Sequence, residues 1–485
     1  GEDRKIVHNE AELFTCILCS EESSNNKSCM VYPAFIQKSN VLGHHSLLEK
    51  ESDLNPDIDI HASPYVNSCG HEMHVTCWQE YYNNEVAKET RRPFRARNPS
   101  IFNIDKKQFV CPLCRFLSNS VLPAIPPLTS LNDSKTKTIT DKFNFDLWHQ
   151  LMTNYIDSLQ FIGNDSSILG SQGSVVREEL QKNYQECVIG FLKERCGFVE
   201  ENNSETPLNI HADVNKYSKE FITAVKKNSP TSGEVDDMSL YTFAFSTCSY
   251  TIQVLEMYMR AIDKPISEMS VRYEKCVKSL IRMCGYYGRM NFEILKEKES
   301  ASLTLAYYAL LICARDVYDT LFGRKPDMSI LNWDVFGLMT SLLFVTRPVL
   351  FPQNTRFLIS RGDSLDSTIF NTMFAVNLVK ILLTFRLEEQ YMDYDDDEVV
   401  GDIKELSPEE TNMLTLYEKF NIYRVEDSNE DRHKLKRQLM EALRDQSRTF
   451  LRCSCILFHF LTEVPLPDEM KQNGCDTFEV MANYL

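Results

Sequence analysis

The chain has 485 residues, of which 43% are hydrophobic and 25% are charged, as is ordinary for a protein of two or three globular domains. Its formal net charge of −17 argues against electrostatic binding of nucleic acid, because phosphate contacts need a basic surface. The N-terminal stretch GEDRKIVHNE lacks the apolar core of a signal peptide, and no apolar run reaches the ~18 residues that a membrane span needs. We therefore expect no membrane partner, and a location in the cytoplasm with the nucleus as a second site.

Closely spaced cysteine and histidine pairs dominate the first part of the chain. The sequence holds 16 cysteines, and the lack of a signal peptide favours reduced thiols and zinc over a disulfide framework. Four ligand pairs lie before residue 128: Cys16-x2-Cys19, Cys69-x-His71, His74-x2-Cys77 and Cys111-x2-Cys114. Their cysteines and two histidines suffice for two tetrahedral zinc sites.

The spacing of these pairs predicts how they divide between two ions. Cys69 and His71 are too close in sequence to the next pair to share its ion easily, so the arrangement that uses every ligand interleaves the pairs. The first site is then Cys16, Cys19, His74 and Cys77, and the second is Cys69, His71, Cys111 and Cys114. Closed shells of four protein ligands are structural. Each ion contributes roughly 10–16 kcal/mol to folding, which we expect to replace an apolar core in a region of long loops.

The sequence changes in character after the last ligand pair. The segment VLPAIPPLTSLNDSKTKT is rich in proline and then in small polar residues, which predicts a domain boundary at about residue 128. Beyond it, apolar residues recur at helical spacing. Helices are predicted at 140–162, 175–195, 212–228, 238–262, 266–292, 301–322, 330–346, 366–391, 408–421 and 428–462. The predicted fold is a small zinc-stabilised α+β domain, residues 1–128, followed by a large all-helical domain, residues 129–485.

The ligand order Cys-Cys-Cys-His-His-Cys-Cys-Cys resembles that of the RING-H2 domain, a module that recruits ubiquitin-conjugating enzymes. PHD fingers are the nearest alternative, but they place Cys at the position of His71 and typically Trp at the position of Phe109. The resemblance implies long insertions at residues 20–68 and 78–110. It also implies catalysis by proximity, because a RING ligase holds the ubiquitin thioester near a substrate lysine without a cysteine nucleophile of its own.

The same resemblance implies which residues contact the conjugating enzyme. Leu18 takes the apolar position in the first metal loop, and Pro112 lies in the last one. Arg115, directly after the eighth ligand, takes the place of a cationic linchpin that donates to both the conjugating enzyme and ubiquitin. Trp78 or Tyr81 takes the place of an aromatic contact on the helix between them. Plain packing, a turn, an exposed charge and core burial are the structural alternatives for these residues.

Three longer stretches narrow the resemblance to the UBR-box ubiquitin ligases, the N-recognins. They are SCGHEMHVTCWQEYY in the metal region, and FSTCSYTIQVLEMYM and RCSCILFHFLTEVPLPDEM in the helical cap region. Neither a UBR box nor the Cys/His-rich C-terminal module of that family is present, so we expect a fragment truncated near Leu485. Cys455 and His459 share a helical face and are candidates for a further metal site.

We therefore predict a RING-type E3 ubiquitin ligase. Its partners would be a ubiquitin-conjugating enzyme, ubiquitin and protein substrates, in N-degron-type degradation, and its cofactors two structural zinc ions. A non-catalytic RING scaffold is the alternative, and the presence of Leu18, Pro112 and Arg115 favours the ligase. A metalloprotease is disfavoured because two residues separate His71 from His74, whereas H-E-x-x-H needs three. An acyl-transfer enzyme lacks a Cys/His/Asp constellation outside the zinc pattern.

Overall fold

The computed structural model describes residues 12–24, 27–42, 63–91, 102–127, 212–228, 237–296, 334–350, 365–385, 417, 429–473 and 476–485. The predicted helices 140–162, 175–195 and 301–322 lie outside these residues, as do most of helix 408–421 and the linker that follows residue 127.

Short strands form the framework of the metal-ligand region. They are β1 (Leu13–Thr15), β2 (Glu22–Ser24), β3 (Met30–Ser39), β4 (Ser63–Ser68), β5 (Met73–His74), β6 (Phe109–Val110), β7 (Leu117–Ser118) and β8 (Ser120–Pro123). β1 pairs with β2 and β6 pairs with β7, and each of these two hairpins carries one C-x2-C pair in its loop. Helix α1 (Val75–Arg91) follows β5 directly.

The long strand β3 holds the largest sheet together. It pairs antiparallel with β4, β5 and β8. Ala34 lies opposite Ser68 at the end of β4, and Met30 lies opposite His74 in β5. Both ends of the segment 69–72, between β4 and β5, are therefore anchored on the same strand. The insertion 20–68 thus contains a central strand. The sequence does not predict it, because a proline such as Pro33 within a run of strand residues argues against a central strand.

The helical region contains the elements that the apolar periodicity predicts within the described residues. They are α2 (Ala212–Lys227), α3 (Asp237–Ala261), α4 (Val271–Lys296), α5 (Val335–Leu350), α6 (Leu365–Thr384) and α7 (Asn429–Thr462). Two short helices that the periodicity does not predict follow, α8 (Asp468–Asn473) and α9 (Phe478–Tyr484). A 3-10 turn at Ile266–Glu268 precedes α4, so this helix begins later than predicted. Of the helices that the structure describes, none combines the length and apolarity that a bilayer crossing requires.

The larger of two hydrophobic clusters in the described residues extends through both regions. Its members in the strands include Phe14, Met30, Ile36, Met73, Phe109 and Leu122, and its members in the helices include Phe221, Cys248, Ile281, Met339, Ile369 and Leu457. The expectation that zinc replaces an apolar core is therefore wrong, because the strands bury large apolar side chains against the helices. The division into two domains at residue 128 stays a prediction.

Arg282 on α4 ties three distant segments together. Its Nη1 donates to Glu12 Oε2 at 2.7 Å and to the carbonyl oxygen of Ile125 at 3.0 Å, and its Nη2 donates to Glu463 Oε1 at 3.0 Å. Lys278, on the same helix, also binds Glu12, at 2.5 Å. These bonds attach both ends of the described metal-ligand region to α4.

A buried charge network centred on Arg452 of α7 joins the helices to one another. Arg452 Nε donates to Glu256 Oε1 of α3 at 3.1 Å, and Nη1 donates to Asp476 Oδ2 at 2.5 Å. Asp476 also accepts the backbone N–H of Ile266 at 2.7 Å. Burial raises the pKa of both carboxyl groups, although Arg452 and, for Glu256, Arg260 act in the opposite direction. Buried carboxylates of this kind depend on their cationic partner.

We predict that Arg452→Met lowers the free energy of unfolding by about 3–5 kcal/mol, because it leaves Asp476 and Glu256 buried without their shared cation. Denaturant titration of the purified chain measures the change. Arg444→Met is the matched control on the same helix. Arg444 pairs with Glu479 at 3.8 Å with both side chains more than half exposed, so its loss should cost less than about 1 kcal/mol. Equal effects of the two substitutions would contradict the prediction.

Candidate metal centre

Two groups of four side chains each bring their metal-ligand atoms together. The first group is Cys16, Cys19, His74 and Cys77, and the second is Cys69, His71, Cys111 and Cys114; within each group the ligand atoms lie within 4.8 Å of one another. The structure thus assembles the same two groups that the interleaved reading of the sequence gives. In the described part of the chain, these are the groups of His, Cys and carboxylate side chains that are close enough to hold an ion.

The first group lies where the β1–β2 hairpin meets the start of α1. Backbone N–H groups of Leu18 and His74 each donate to Cys16 Sγ at 3.4 Å. His74, at the end of β5, directs Nδ1 toward the sulfurs, at 3.3 Å from Cys19 Sγ and 3.9 Å from Cys77 Sγ. Cys77 lies in the first turn of α1, where the helix brings it back over the histidine.

The second group joins the segment after β4 to the β6–β7 hairpin. Cys69 and His71 are separated by Gly70, whose φ of +71° favours a residue without a Cβ. His71 Nδ1 lies 3.7 Å from Cys111 Sγ. Within residues 69–77 the first two ligands belong to the second group and the next two to the first group, so this short stretch contributes to both centres.

The two hairpin loops have the same hydrogen-bond pattern. In the first, Ser20 N donates to the Cys16 carbonyl at 2.8 Å and Cys16 N donates to the Glu21 carbonyl at 3.0 Å. In the second, Arg115 N donates to the Cys111 carbonyl at 2.9 Å and Cys111 N donates to the Phe116 carbonyl at 2.8 Å. The residue after each C-x2-C pair is left-handed, with φ of 63° at Ser20 and 64° at Arg115.

The thiols of each group are close enough to share protons. A hydrogen bond from the Cys69 thiol lowers the pKa of Cys111 to about 5, and the same bond, together with burial, raises the pKa of Cys69. Burial and the neighbouring Cys16 raise the pKa of Cys77 to about 12. Burial also raises the pKa of Cys16, but backbone donors outweigh it and the net shift is downward. A divalent cation would displace these shared protons. Three sulfurs and one imidazole per group form a closed donor set of the structural type.

Each C-x2-C loop exposes one leucine directly before its second cysteine. Leu18 is 37% exposed in the first loop, and Leu113 is 62% exposed in the second. Arg115 is exposed beside Leu113, whereas Pro112 is half-buried. Sequence reasoning named Leu18 and missed Leu113, although the parallel between the stretches CILC and CPLC was available to find it.

The two aromatic candidates on α1 have different surroundings. Trp78 stacks on Tyr82 with ring centroids 5.7 Å apart, and it contacts Phe109 at 5.8 Å and Tyr217 of α2 at 6.0 Å. Its ring therefore links α1 to the helical region. Tyr81 donates from its hydroxyl to the Val110 carbonyl at 2.8 Å, directly before the second C-x2-C pair.

Cys455 and His459 do not belong to either group. Cys455 is fully buried, and Nδ1 of His459 lies 2.8 Å from the Val464 carbonyl, which fixes a proton on that nitrogen. Helical spacing predicts buried thiols at Cys187, Cys196, Cys248, Cys276, Cys284 and Cys313. Cys248, Cys276 and Cys284 are buried on helices α3 and α4, and the other three lie outside the described residues.

Sequence comparisons place the chain among known proteins. The Proteolysis_6 C-terminal family model matches residues 219–485. The chain belongs to this family. It is also similar along its whole length to E3 ubiquitin-protein ligase UBR1 of Drosophila melanogaster, with 27% identity over 532 residues that cover 100% of the chain and 28% of the relative. The predicted relationship to the UBR ligases is thereby confirmed.

Two further relatives of the chain are also ubiquitin ligases by name. E3 ubiquitin-protein ligase UBR2 of Homo sapiens is 27% identical over 497 residues, covering 100% of the chain and 26% of the relative. E3 ubiquitin-protein ligase PRT6 of Arabidopsis thaliana is 40% identical over 62 residues, covering 13% of the chain and 3% of the relative. The chain thus spans about a quarter of the length of the UBR1 and UBR2 proteins. No solved structure matches it significantly.

We predict that the purified chain binds two divalent metal ions, measured by mass spectrometry of the intact protein and by elemental analysis. Cys77→Ser and Cys111→Ser should each reduce the content to about one ion, because each removes a thiolate from a different group. Cys29→Ser is the control, since Cys29 is buried but belongs to neither group. Loss of both ions from either single ligand variant, with the fold retained, would contradict two separable centres.

Proposed function

We propose that the chain is the RING-H2 and helical cap portion of a ubiquitin ligase, and that its two ligand groups hold structural zinc. The observation that carries this proposal is the pair of interleaved Cys₃His groups, whose two C-x2-C loops each expose a leucine. The relatives named as E3 ubiquitin-protein ligases support it. The chemistry that zinc supplies is cross-linking of distant segments.

The proposed docking surface for the ubiquitin-conjugating enzyme lies on these loops. Leu18 and Leu113 offer apolar side chains to a partner, and buried apolar anchors of this kind supply most of the energy of a small interface. Pro112 stiffens the second loop. Tyr81 lies on helix α1 and donates its hydroxyl hydrogen to the Val110 carbonyl, so its ring is fixed beside the second loop. Trp78 supports this surface from behind through its contact with Tyr217.

In the proposed mechanism this chain acts as a template. The loops bind the conjugating enzyme, and Arg115 donates hydrogen bonds to both the enzyme and its thioester-linked ubiquitin through its planar guanidinium. Holding that thioester in one orientation near a substrate lysine lowers the entropic part of the barrier. The six ligand cysteines take no part in the transfer, because they are committed to zinc.

We further propose that the substrates are proteins of the N-degron type, and that the chain acts in the cytoplasm and also in the nucleus. The partners are then a conjugating enzyme, ubiquitin and the substrate, with no role for nucleic acid or membrane. A net charge of −17 agrees with this set of partners.

We predict that Leu18→Ala weakens binding of the cognate conjugating enzyme about thirtyfold, because loss of an apolar anchor costs about 2 kcal/mol. Leu13→Ala is the matched control. Leu13 is 67% exposed on strand β1 of the same hairpin but lies outside the metal loop. Binding is measured by calorimetry against a panel of conjugating enzymes. Equal loss in both variants, or no loss in Leu18→Ala, would contradict the proposed surface.

We predict that Arg115→Gly slows discharge of ubiquitin from a charged conjugating enzyme at least tenfold while leaving binding of the enzyme nearly unchanged. Glycine is chosen because it accepts the left-handed backbone at this position without strain.

Lys107→Gly is the control for this substitution. Lys107 is an exposed cation with φ of 55° in the segment before β6, so the two variants differ in position and not in charge or backbone type. If the wild-type chain binds a conjugating enzyme but does not speed discharge, it is a non-catalytic scaffold. If Arg115→Gly discharges at the wild-type rate, Arg115 is not the linchpin.

A further inference from the structure

The segment 69–72 lies between the two ligand groups and touches both. Cys69 and His71 belong to the second group, and the backbone carbonyl of Glu72 accepts the N–H of Ile17 at 3.0 Å in the first metal loop. The exposed Leu18 is the next residue after Ile17. Any displacement of Glu72 therefore moves a ligand-bearing segment and the loop that carries Leu18 together.

Helix α4 also binds the segment 69–72, through Lys275. Lys275 Nζ donates to the Gly70 carbonyl at 3.3 Å and forms an ion pair with the Glu72 carboxylate. The pair is mostly shielded, with 31% of the Lys275 side chain and 17% of the Glu72 side chain exposed. The Lys275 ammonium group thus binds both the Gly70 backbone, which lies between the ligands Cys69 and His71, and the Glu72 side chain.

The backbone of α4 also lies against the turn at Gly70. A Cβ on Gly70 would come within 3.1 Å of the Arg272 Cα, so the helix and the turn are already in close contact. On the sheet side, the Ser68 hydroxyl accepts the Gly70 N–H at 3.1 Å and donates to the Pro33 carbonyl at 2.8 Å. The turn is therefore held between β3 and α4.

We propose that Lys275 is a positioning residue, through which the helical region sets the placement of the segment 69–72, the retention of metal in the second group and the position of the Leu18 loop. This inference deepens the proposed function and rests on it for the link to the conjugating enzyme. Lys275 touches neither a partner nor a ligand atom, so its effect passes through Gly70 and Glu72.

The test uses the full zinc-loaded chain and the variant Lys275→Met, which keeps the aliphatic stem and removes the ammonium group. We expect the Ile17 N–H to exchange with solvent about tenfold faster, because its acceptor residue loses a charge-assisted bond. We expect one of the two metal ions, the one held by the second group, to transfer to a chelator about tenfold faster. Loss of a contact that supports a metal ligand typically weakens metal binding by about tenfold or more. Affinity for the conjugating enzyme should fall in parallel.

Lys278→Met and Lys275→Arg are the controls. Lys278 lies on the same helix and is similarly exposed, but it binds Glu12 and not the segment 69–72. Its substitution should leave Ile17 exchange and metal transfer at wild-type rates. Lys275→Arg keeps a donor that can reach both acceptors, so it should restore most of the protection, which a purely structural loss of packing would not explain.

The outcomes separate this inference from the proposed function. Unchanged Ile17 exchange and metal transfer in Lys275→Met overturn the positioning role, whatever the activity of the wild-type chain. Altered exchange and metal transfer, in a chain that neither binds a conjugating enzyme nor speeds discharge, uphold the positioning role and overturn the proposed ligase function. Equal effects of Lys275→Met and Lys278→Met show a general loosening of α4 and also overturn the positioning role.

Discussion

The interleaving of the ligand pairs is the constraint on which the rest of the molecule depends. Each group takes two ligands from a hairpin loop and two from residues 69–77, so neither centre can form until segments far apart in sequence have met. Closing such long loops carries an entropic cost that local contacts do not repay. Strand β3 offsets part of that cost by pairing with both β4 and β5, because these pairings hold both ends of the segment 69–72.

The helical region packs against the metal-ligand region and helps to hold it in place. The core is continuous from the strands to α7, and three charged side chains of α4, Lys275, Lys278 and Arg282, form ion pairs with this part of the structure. A rigid attachment of this kind defines where the metal loops lie relative to the helices. In a template mechanism that placement decides which acceptor groups can reach the thioester. The helices then contribute geometry to the proposed reaction without contributing a reacting group.

The sequence predicted what repeats or has a fixed spacing. Four pairs at short spacing are enough to assign the ligand groups, and helical periodicity located α2 to α7. The predicted bounds are less exact: α4 begins at Val271 and α5 at Val335, later than the predicted 266 and 330, and α6 ends at Thr384, before the predicted 391. Strand β3 was not predicted, because Pro33 interrupts its pattern of strand-forming residues. The shared core and the partners of Arg452 were not predicted for a different reason. Contacts such as that of Arg452 with Asp476 join residues whose pairing leaves no pattern in the nearby sequence. Leu113 was missed although the first loop offered its counterpart.

The matched backbones of the two hairpin loops have a consequence for the orientation of the module. Ser20 and Arg115 occupy equivalent left-handed positions, so the two ends of the metal region are related by an approximate internal symmetry of hydrogen bonding. This conformation costs serine and arginine roughly 1–2 kcal/mol each, so the two ends carry a similar backbone strain. The loop backbones alone therefore do not distinguish the two ends of the metal region. Their side chains do distinguish them, because the exposed Arg115 places a positive charge where the first loop carries the uncharged Ser20.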